Sequence, residues 1–307
     1  MRVAITGGAG FIGANLARHL LDRGAEITVL DDLSTGYERN IAGLDLEFVE
    51  GSILDDHDLE ALNDADAIVH LAALPSVPRS IENPLLSHEV NATGSLRVLE
   101  KARARGAHVI LASSSSVYGA NPILPKVESM RPMPLSPYAV SKLAAESYAL
   151  AHQQVFGLPT LAFRFFNVYG PLQAPGHAYA AVVPAFTHAA VTGTTLVVHG
   201  DGKQTRDFTF VGTVVAAIGD ALERRVTSTD PVNLAFGTRH SLLDVVALLE
   251  DMLDRAVPLE HVGTRAGDVR DSQADSTLIT SLFGSVEPTE LRDGLAQTVA
   301  WMQEYIA

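Results

Sequence analysis

The chain has 307 residues, enough for one large domain with a lobe or for two domains, and its 47% hydrophobic content supplies a sizeable core. Its 36 acidic against 22 basic residues give a formal net charge of -14, which argues against general nucleic-acid or anionic-membrane binding, so any anionic ligand must be met by a few placed arginines. Cysteine is absent, which excludes disulfides, thiolate nucleophiles and cysteine-held metals; with no apolar run long enough for a membrane helix and no visible signal peptide, the expected location is cytoplasmic.

Residues 2–6 form a short apolar run ended by glycines, and 11–23 carry Phe11, Ile12, Leu16, Leu20 and Leu21 at helical spacing. The pattern predicts strand, tight turn and helix. In the turn Thr6-Gly7-Gly8-Ala9-Gly10-Phe11-Ile12-Gly13 the glycines allow a pyrophosphate to approach backbone amides at the helix start. A second strand over 27–30 is closed by Asp31-Asp32, and Asp31 lies 18 residues beyond Gly13, close to the roughly 20 expected for the acidic residue that accepts from a ribose 2′-hydroxyl. A carboxylate there repels a 2′-phosphate and favours NAD over NADP.

A strand at 46–50, a helix at 55–62 and a strand at 67–71 continue the alternation, followed by one long helix at 84–105 and a strand at 108–112. Strands alternating with helices imply a Rossmann-type doubly wound parallel α/β sheet. The run Ser113-Ser114-Ser115-Ser116 then sits at the carboxyl end of a strand, where such a sheet presents ligand-binding groups. Ser114, or next to it Ser115, is the hydroxyl expected to face a substrate's reacting oxygen.

Ser136 and Pro137 open a helix over 137–156, with serine as cap and proline at the first helical position. Tyr138 and Lys142, four residues apart, project from one face of it. A free phenol titrates near 10, and bringing it to about 7 takes roughly 4 kcal/mol of preference for phenolate, which a neighbouring ammonium favours. A sixth strand is expected at 159–166. Beyond Asn167-Val168-Tyr169-Gly170-Pro171 loops with prolines and glycines begin a smaller C-terminal α/β lobe, with a short strand at 197–202, a helix reaching 222, a return to the sheet at 232–235 and an amphipathic helix at 242–253. The expected division is 1–168 plus 209–236 for the NAD-binding domain and 169–208 plus 237–307 for the substrate domain. No histidine pair shows metal-ligand spacing, so no metal is expected.

These motifs, with Leu71-Ala72-Ala73, Val117-Tyr118-Gly119, Arg164-Phe165-Phe166-Asn167 and Gly200-Asp201-Gly202 leading to Arg206-Asp207-Phe208, agree in order and spacing across nearly the whole chain. The chain resembles the extended short-chain dehydrogenases/reductases, and within them the nucleotide-sugar 4-epimerases. The resemblance implies NAD at Gly7, Gly10, Phe11, Ile12, Gly13, Asp31, Asp32, Ser34, Ile53, Leu71, Ala72, Ala73, Asn91, Ser113, Tyr138, Lys142 and Phe165. One departure is Ser52, where members often carry an aspartate toward adenine. For a UDP-sugar it implies Ser76, Ser114, Ser115, Tyr138, Asn167, Tyr179, Ala181, Val182, Arg206, Arg265, Asp268 and Ser272. Arg206 and Arg265 also suit a diphosphate on chemistry alone, as bidentate donors in an acidic chain.

The implied reaction has Tyr138, as phenolate, take the proton of the sugar 4-hydroxyl while the 4-position is oxidised, with Lys142 and the positive nicotinamide holding the phenolate and Ser114 bonding the same oxygen. Dehydratases and decarboxylases of this kind carry acidic residues just after the serine or threonine; here those places are Ser115 and Ser116, which argues against both. Ser272 falls where UDP-glucose-restricted relatives carry tyrosine, which favours UDP-GlcNAc/UDP-GalNAc with UDP-glucose/UDP-galactose also accepted. UDP-glucuronate 4-epimerisation is the alternative, and a non-catalytic NAD-binding regulator a remote one. The long helices carry apolar residues on more than one face, which suggests a homodimer.

Overall fold

The computed structural model describes residues 1–175, 181–263 and 270–306. Six strands, β1 (Arg2–Thr6), β2 (Glu26–Asp31), β3 (Glu47–Glu50), β4 (Ala67–His70), β5 (His108–Ser114) and β6 (Thr160–Phe165), join the strand Val232–Leu234 in one sheet. Its order is Val232–Leu234, β6, β5, β4, β1, β2, β3, and every neighbouring pair is parallel. The central strands are buried on both faces and so read as unbroken apolar runs rather than alternations. From β1 the order runs outward through β2 and β3, then restarts at β4 on the other side. Between β1 and β4 the connections diverge and leave a crevice at the carboxyl ends of the strands.

On one face α1 (Phe11–Leu21) lies against the later helix Val211–Arg224; Leu16 and Leu20 share a core there with Val3, Ile5 and Val69 of the sheet. On the other face Val98, Leu99, Ala145 and Ala149 pack with Ala4, Ile68, Val109 and Leu111. The helix expected over 84–105 is present, widened by one π-helical turn. After α2 (Val77–Glu82), which the sequence pattern did not suggest, come α3 (Pro84–His88), a π-helical turn Glu89–Gly94, and α4 (Ser95–Arg105). Asn83 separates α2 from α3, its side chain accepting from the Leu86 N–H while Pro84 has none to offer. The widened turn brings Gly94 so close to Ile53 that a Cβ would lie 2.5 Å from the isoleucine Cδ1. The segment expected as a helix at 55–62 is a 3₁₀ turn, Asp58–Leu62.

α5 (Pro137–Phe156) begins as its sequence predicts, Ser136 Oγ accepting from the Ala139 N–H at 3.2 Å. The C-terminal lobe packs α6 (Val182–Thr192) against α8 (Leu242–Leu253) and α10 (Leu291–Ile306), and a parallel strand pair, Leu196–His199 with Leu259–Val262, runs alongside. α7 (Val211–Arg224) and α9 (Thr277–Phe283) return to the large sheet. Asp207 ties lobe and sheet together: its buried carboxylate accepts from the N–H groups of Gly237 (3.1 Å) and Ala274 (3.0 Å) and from the Thr238 hydroxyl (2.9 Å).

Candidate active site

A cleft of about 670 Å³ lies over the carboxyl ends of β1, β4, β5 and β6. Its floor is the glycine turn. Gly7 has φ +73°, and a Cβ on it would lie 2.7 Å from the Ala72 N; a Cβ on Gly13 would lie 2.4 Å from the Gly7 carbonyl oxygen. Only glycine lets the two strand ends and α1 approach this closely. Gly10 precedes α1 without a side-chain cap, so Gly10, Phe11 and Ile12 line the cleft where α1 presents unshared backbone N–H groups. Asp31, at the end of β2, is buried and accepts from the N–H groups of Ala9 and Leu33, both at 2.9 Å. Burial pushes its carboxyl up, and these N–H groups oppose the shift. Glycine floor, open helix start and carboxylate fit a dinucleotide.

The opposite wall carries Ser113, Ser114 and Ser115 at the end of β5, with Tyr138 and Lys142 from α5. Ser114 Oγ accepts from the Ser116 N–H (3.2 Å) and from the Ser116 hydroxyl (2.9 Å), which leaves its own proton for the Tyr138 phenolic oxygen. Ser116 is thus the residue that aims Ser114, a role that the serine run alone does not reveal.

The expectation of a low-titrating tyrosine is not met by the protein's own groups. Burial pushes the Tyr138 phenol above its ordinary value, and the hydrogen bond with Ser114 only partly opposes this. Lys142 is itself buried and lowered to about 8, with Glu146 one turn along α5 working against the drop. Glu146 in turn accepts from the Ser113 hydroxyl (2.6 Å) and from Arg164 Nε (2.9 Å) and Nη2 (2.6 Å). His70, lowered to about 3 first by burial and then by Lys142, is a neutral bridge between Thr6 (2.7 Å) and Ser95 (2.8 Å).

The sequence-predicted residues divide into three groups. Gly7, Gly10, Phe11, Ile12, Gly13, Asp31, Asp32, Ser34, Ile53, Leu71, Ala72, Ala73 and Phe165 line the cleft, as do Ser76, Asn167 and Ala181 on the side of Ser114 and Tyr138. Four others stand off its wall. Asn91 is buried, its side chain accepting from the Leu74 N–H (2.7 Å) and donating to Ser141 (3.0 Å); Val182 opens α6; Arg206 donates to the carbonyls of Thr205 and Arg270; Ser272 donates its N–H to the Thr205 carbonyl. Tyr179, Arg265 and Asp268 lie outside the described residues. Thr35, Tyr37 and Asn40, which the sequence reading did not single out, also line the cleft, the last donating to the Ala9 carbonyl at 2.9 Å. They sit in an irregular loop without periodicity, so only the folded backbone brings them to the glycine turn.

The model of the NAD dependent epimerase/dehydratase family matches residues 3–235. The chain belongs to this family. A UDP-glucose 4-epimerase of Mycolicibacterium smegmatis is 35% identical over 99% of both chains. Among solved structures, a UDP-N-acetylglucosamine 4-epimerase from Methanobrevibacter ruminantium, in complex with UDP-N-acetylmuramic acid, superposes with a TM-score of 0.93 at 33% identity, covering 99% of this chain and 98% of that one. An NAD-dependent NDP-hexosamine 5,6-dehydratase, TunA, gives 0.89 at 34% identity, with 99% and 98% covered.

Proposed function

We propose that this chain is an NAD-dependent UDP-sugar 4-epimerase that interconverts UDP-GlcNAc and UDP-GalNAc, and UDP-glucose and UDP-galactose, through a 4-keto sugar. The observation that carries the reading is the meeting of Ser114, Tyr138 and Lys142 on one wall of a cleft whose floor is a dinucleotide turn. Gly7, Gly10, Phe11, Ile12, Gly13, Asp31 and Asp32 would hold NAD, which when bound supplies the hydride acceptor and donor that the 4-position requires. The Tyr138 oxygen takes the proton of the sugar 4-hydroxyl and later returns it, Ser114 donates to the same sugar oxygen, and the Lys142 ammonium compensates the phenolate. Because burial opposes phenolate, any positive charge brought into the cleft by a ligand acts directly on Tyr138.

Dehydration needs an acid and a base beside the hydroxyl. The positions after Ser114 are Ser115 and Ser116, and Ser116 is spent on Ser114 itself, which favours epimerisation. The NAD-binding part is assigned to 1–168 plus 209–236 and the sugar-nucleotide part to 169–208 plus 237–307. We also assign a homodimer, from the apolar residues left exposed on α2, α3 and α5, and a cytoplasmic setting; no helix among the described residues is long and apolar enough to cross a membrane.

The test is to incubate the purified protein with UDP-GlcNAc, UDP-glucose and UDP-glucuronate separately and to resolve the 4-epimer of each. Epimer is expected from the first two. Tyr138→Phe should abolish turnover while the protein retains NAD; a variant that still turns over removes Tyr138 from the mechanism, and absence of epimer from all three sugars rejects the reading.

A further inference from the structure

Among the described residues, the cleft wall carries two cations, Lys142 and Arg79. Lys142 is buried at Tyr138 and compensated by Glu146. Arg79 is different. It is half-buried in α2, one turn from Ser76, and the fold uses only its backbone: its N–H donates to Ser76 Oγ at 3.2 Å and its carbonyl accepts from the Asn83 N–H at 2.9 Å. Its guanidinium has no hydrogen-bond or ion-pair partner among the described residues. The chain does not lack carboxylates for pairing: Arg2, Arg97, Arg103, Arg164 and Arg224 each hold one.

A partly desolvated guanidinium with its donors unspent, on the wall of a ligand cleft in a chain of net charge -14, is a site for an oxyanion. We propose that Arg79 receives an oxyanion of the sugar nucleotide, either a carboxylate on the sugar or the diphosphate. The cofactor is the poorer source. The α1 start offers a dinucleotide pyrophosphate backbone N–H groups, whereas Arg79 stands beyond the end of β4, beside Ser76. A carboxylate meets the planar guanidinium by two parallel hydrogen bonds, so Arg79 would add an acidic UDP-sugar to the neutral ones as a ligand of this cleft. The assignment rests on the reading of the cleft as a UDP-sugar site.

The experiment is calorimetric titration of the NAD-loaded protein, and of its Arg79→Met and Arg79→Lys variants, with UDP, UDP-glucose and UDP-glucuronate. Binding is read without turnover, so a protein that binds these ligands but forms no epimer fails the functional reading alone. Loss of one charged hydrogen-bonding partner predicts an affinity drop of about ten- to a hundredfold for Arg79→Met, with Arg79→Lys between the two. A drop confined to UDP-glucuronate identifies the sugar carboxylate, and an equal drop for all three ligands identifies the diphosphate. Affinities within twofold of the parent protein for all three overturn the proposal, as does loss of NAD with the UDP ligands unaffected. If the parent protein binds none of them, the functional reading and this assignment fall together.

Discussion

Tyr138, Lys142 and Glu146 occupy successive turns of one face of α5, and their order is also an order of electrostatic control. Tyr138 is half-buried on the cleft, Lys142 is buried beneath it, and Glu146 lies deeper, held by Ser113 and Arg164. Lys142 loses its proton as pH rises through about 8, so turnover should fall on the alkaline side there. Glu146→Gln removes the carboxylate that holds Lys142 up, while its amide oxygen can still accept from Arg164. The alkaline limb of kcat against pH should therefore move to lower pH, and an unmoved limb would show that Glu146 serves packing alone. The sign for stability is opposite. Between about 8 and the ordinary 10.5 the unfolded chain binds a proton at this lysine that the folded chain does not, so this group's contribution to folding rises with pH across that window.

At the scale of elements, the loop after β2 is held to the glycine turn through one carbonyl. The Tyr37 N–H donates to the Ala9 carbonyl (3.1 Å), and Asn40 donates to the same residue's carbonyl. Arg39 reaches outward to α10: its guanidinium lies 4.5 Å from the Tyr37 ring centroid and 4.9 Å from that of Tyr305, and it donates to the Tyr305 hydroxyl at 3.0 Å. The last turn of the final helix therefore braces the loop whose Tyr37 and Asn40 line the cleft. Exposed cation–π contacts are worth about 0.5–1 kcal/mol, so Tyr305→Ala should speed release of NAD from the loaded protein about two- to fivefold. Rapid ultrafiltration after dilution measures it, and an unchanged release rate would show that the loop needs no brace.

For the molecule as a whole, the prominent unsatisfied surface is apolar. Leu85 is 82% exposed, Val155 69%, Ile81 63% and Val140 50%, all on α2, α3 and α5, which pack against one another. Exposed apolar residues on three helices that pack together fit the proposed second copy of the same chain. Leu85→Asp combined with Val155→Asp should sediment as a monomer with its melting temperature little changed, against a dimer for the parent. A parent protein that already sediments as a monomer would reject the assignment.

The local chemistry was legible in the chain before folding. The glycine turn, Asp31 at its distance from Gly13, the capped start of α5 and the Tyr138–Lys142 spacing depend on neighbours in sequence, and the structure shows turn, strand, cap and helix face where those neighbours predict them. The parallel sheet followed from the alternation of short apolar runs with helical ones. What depended on distant parts of the chain was not legible. The widening of the 84–105 helix into a π turn at Glu89–Gly94 accompanies the close approach of Gly94 to Ile53; Asn91 turns inward because Leu74 and Ser141 arrive to meet it. The direction of the Tyr138 shift was also decided in three dimensions, because spacing puts Lys142 on the same helix face but does not give the burial, which raises the phenol against the Ser114 hydrogen bond. Periodicity records which face of an element is apolar, whereas desolvation, and at Arg79 the absence of a partner among the described residues, exist only once the other elements have closed around the side chain.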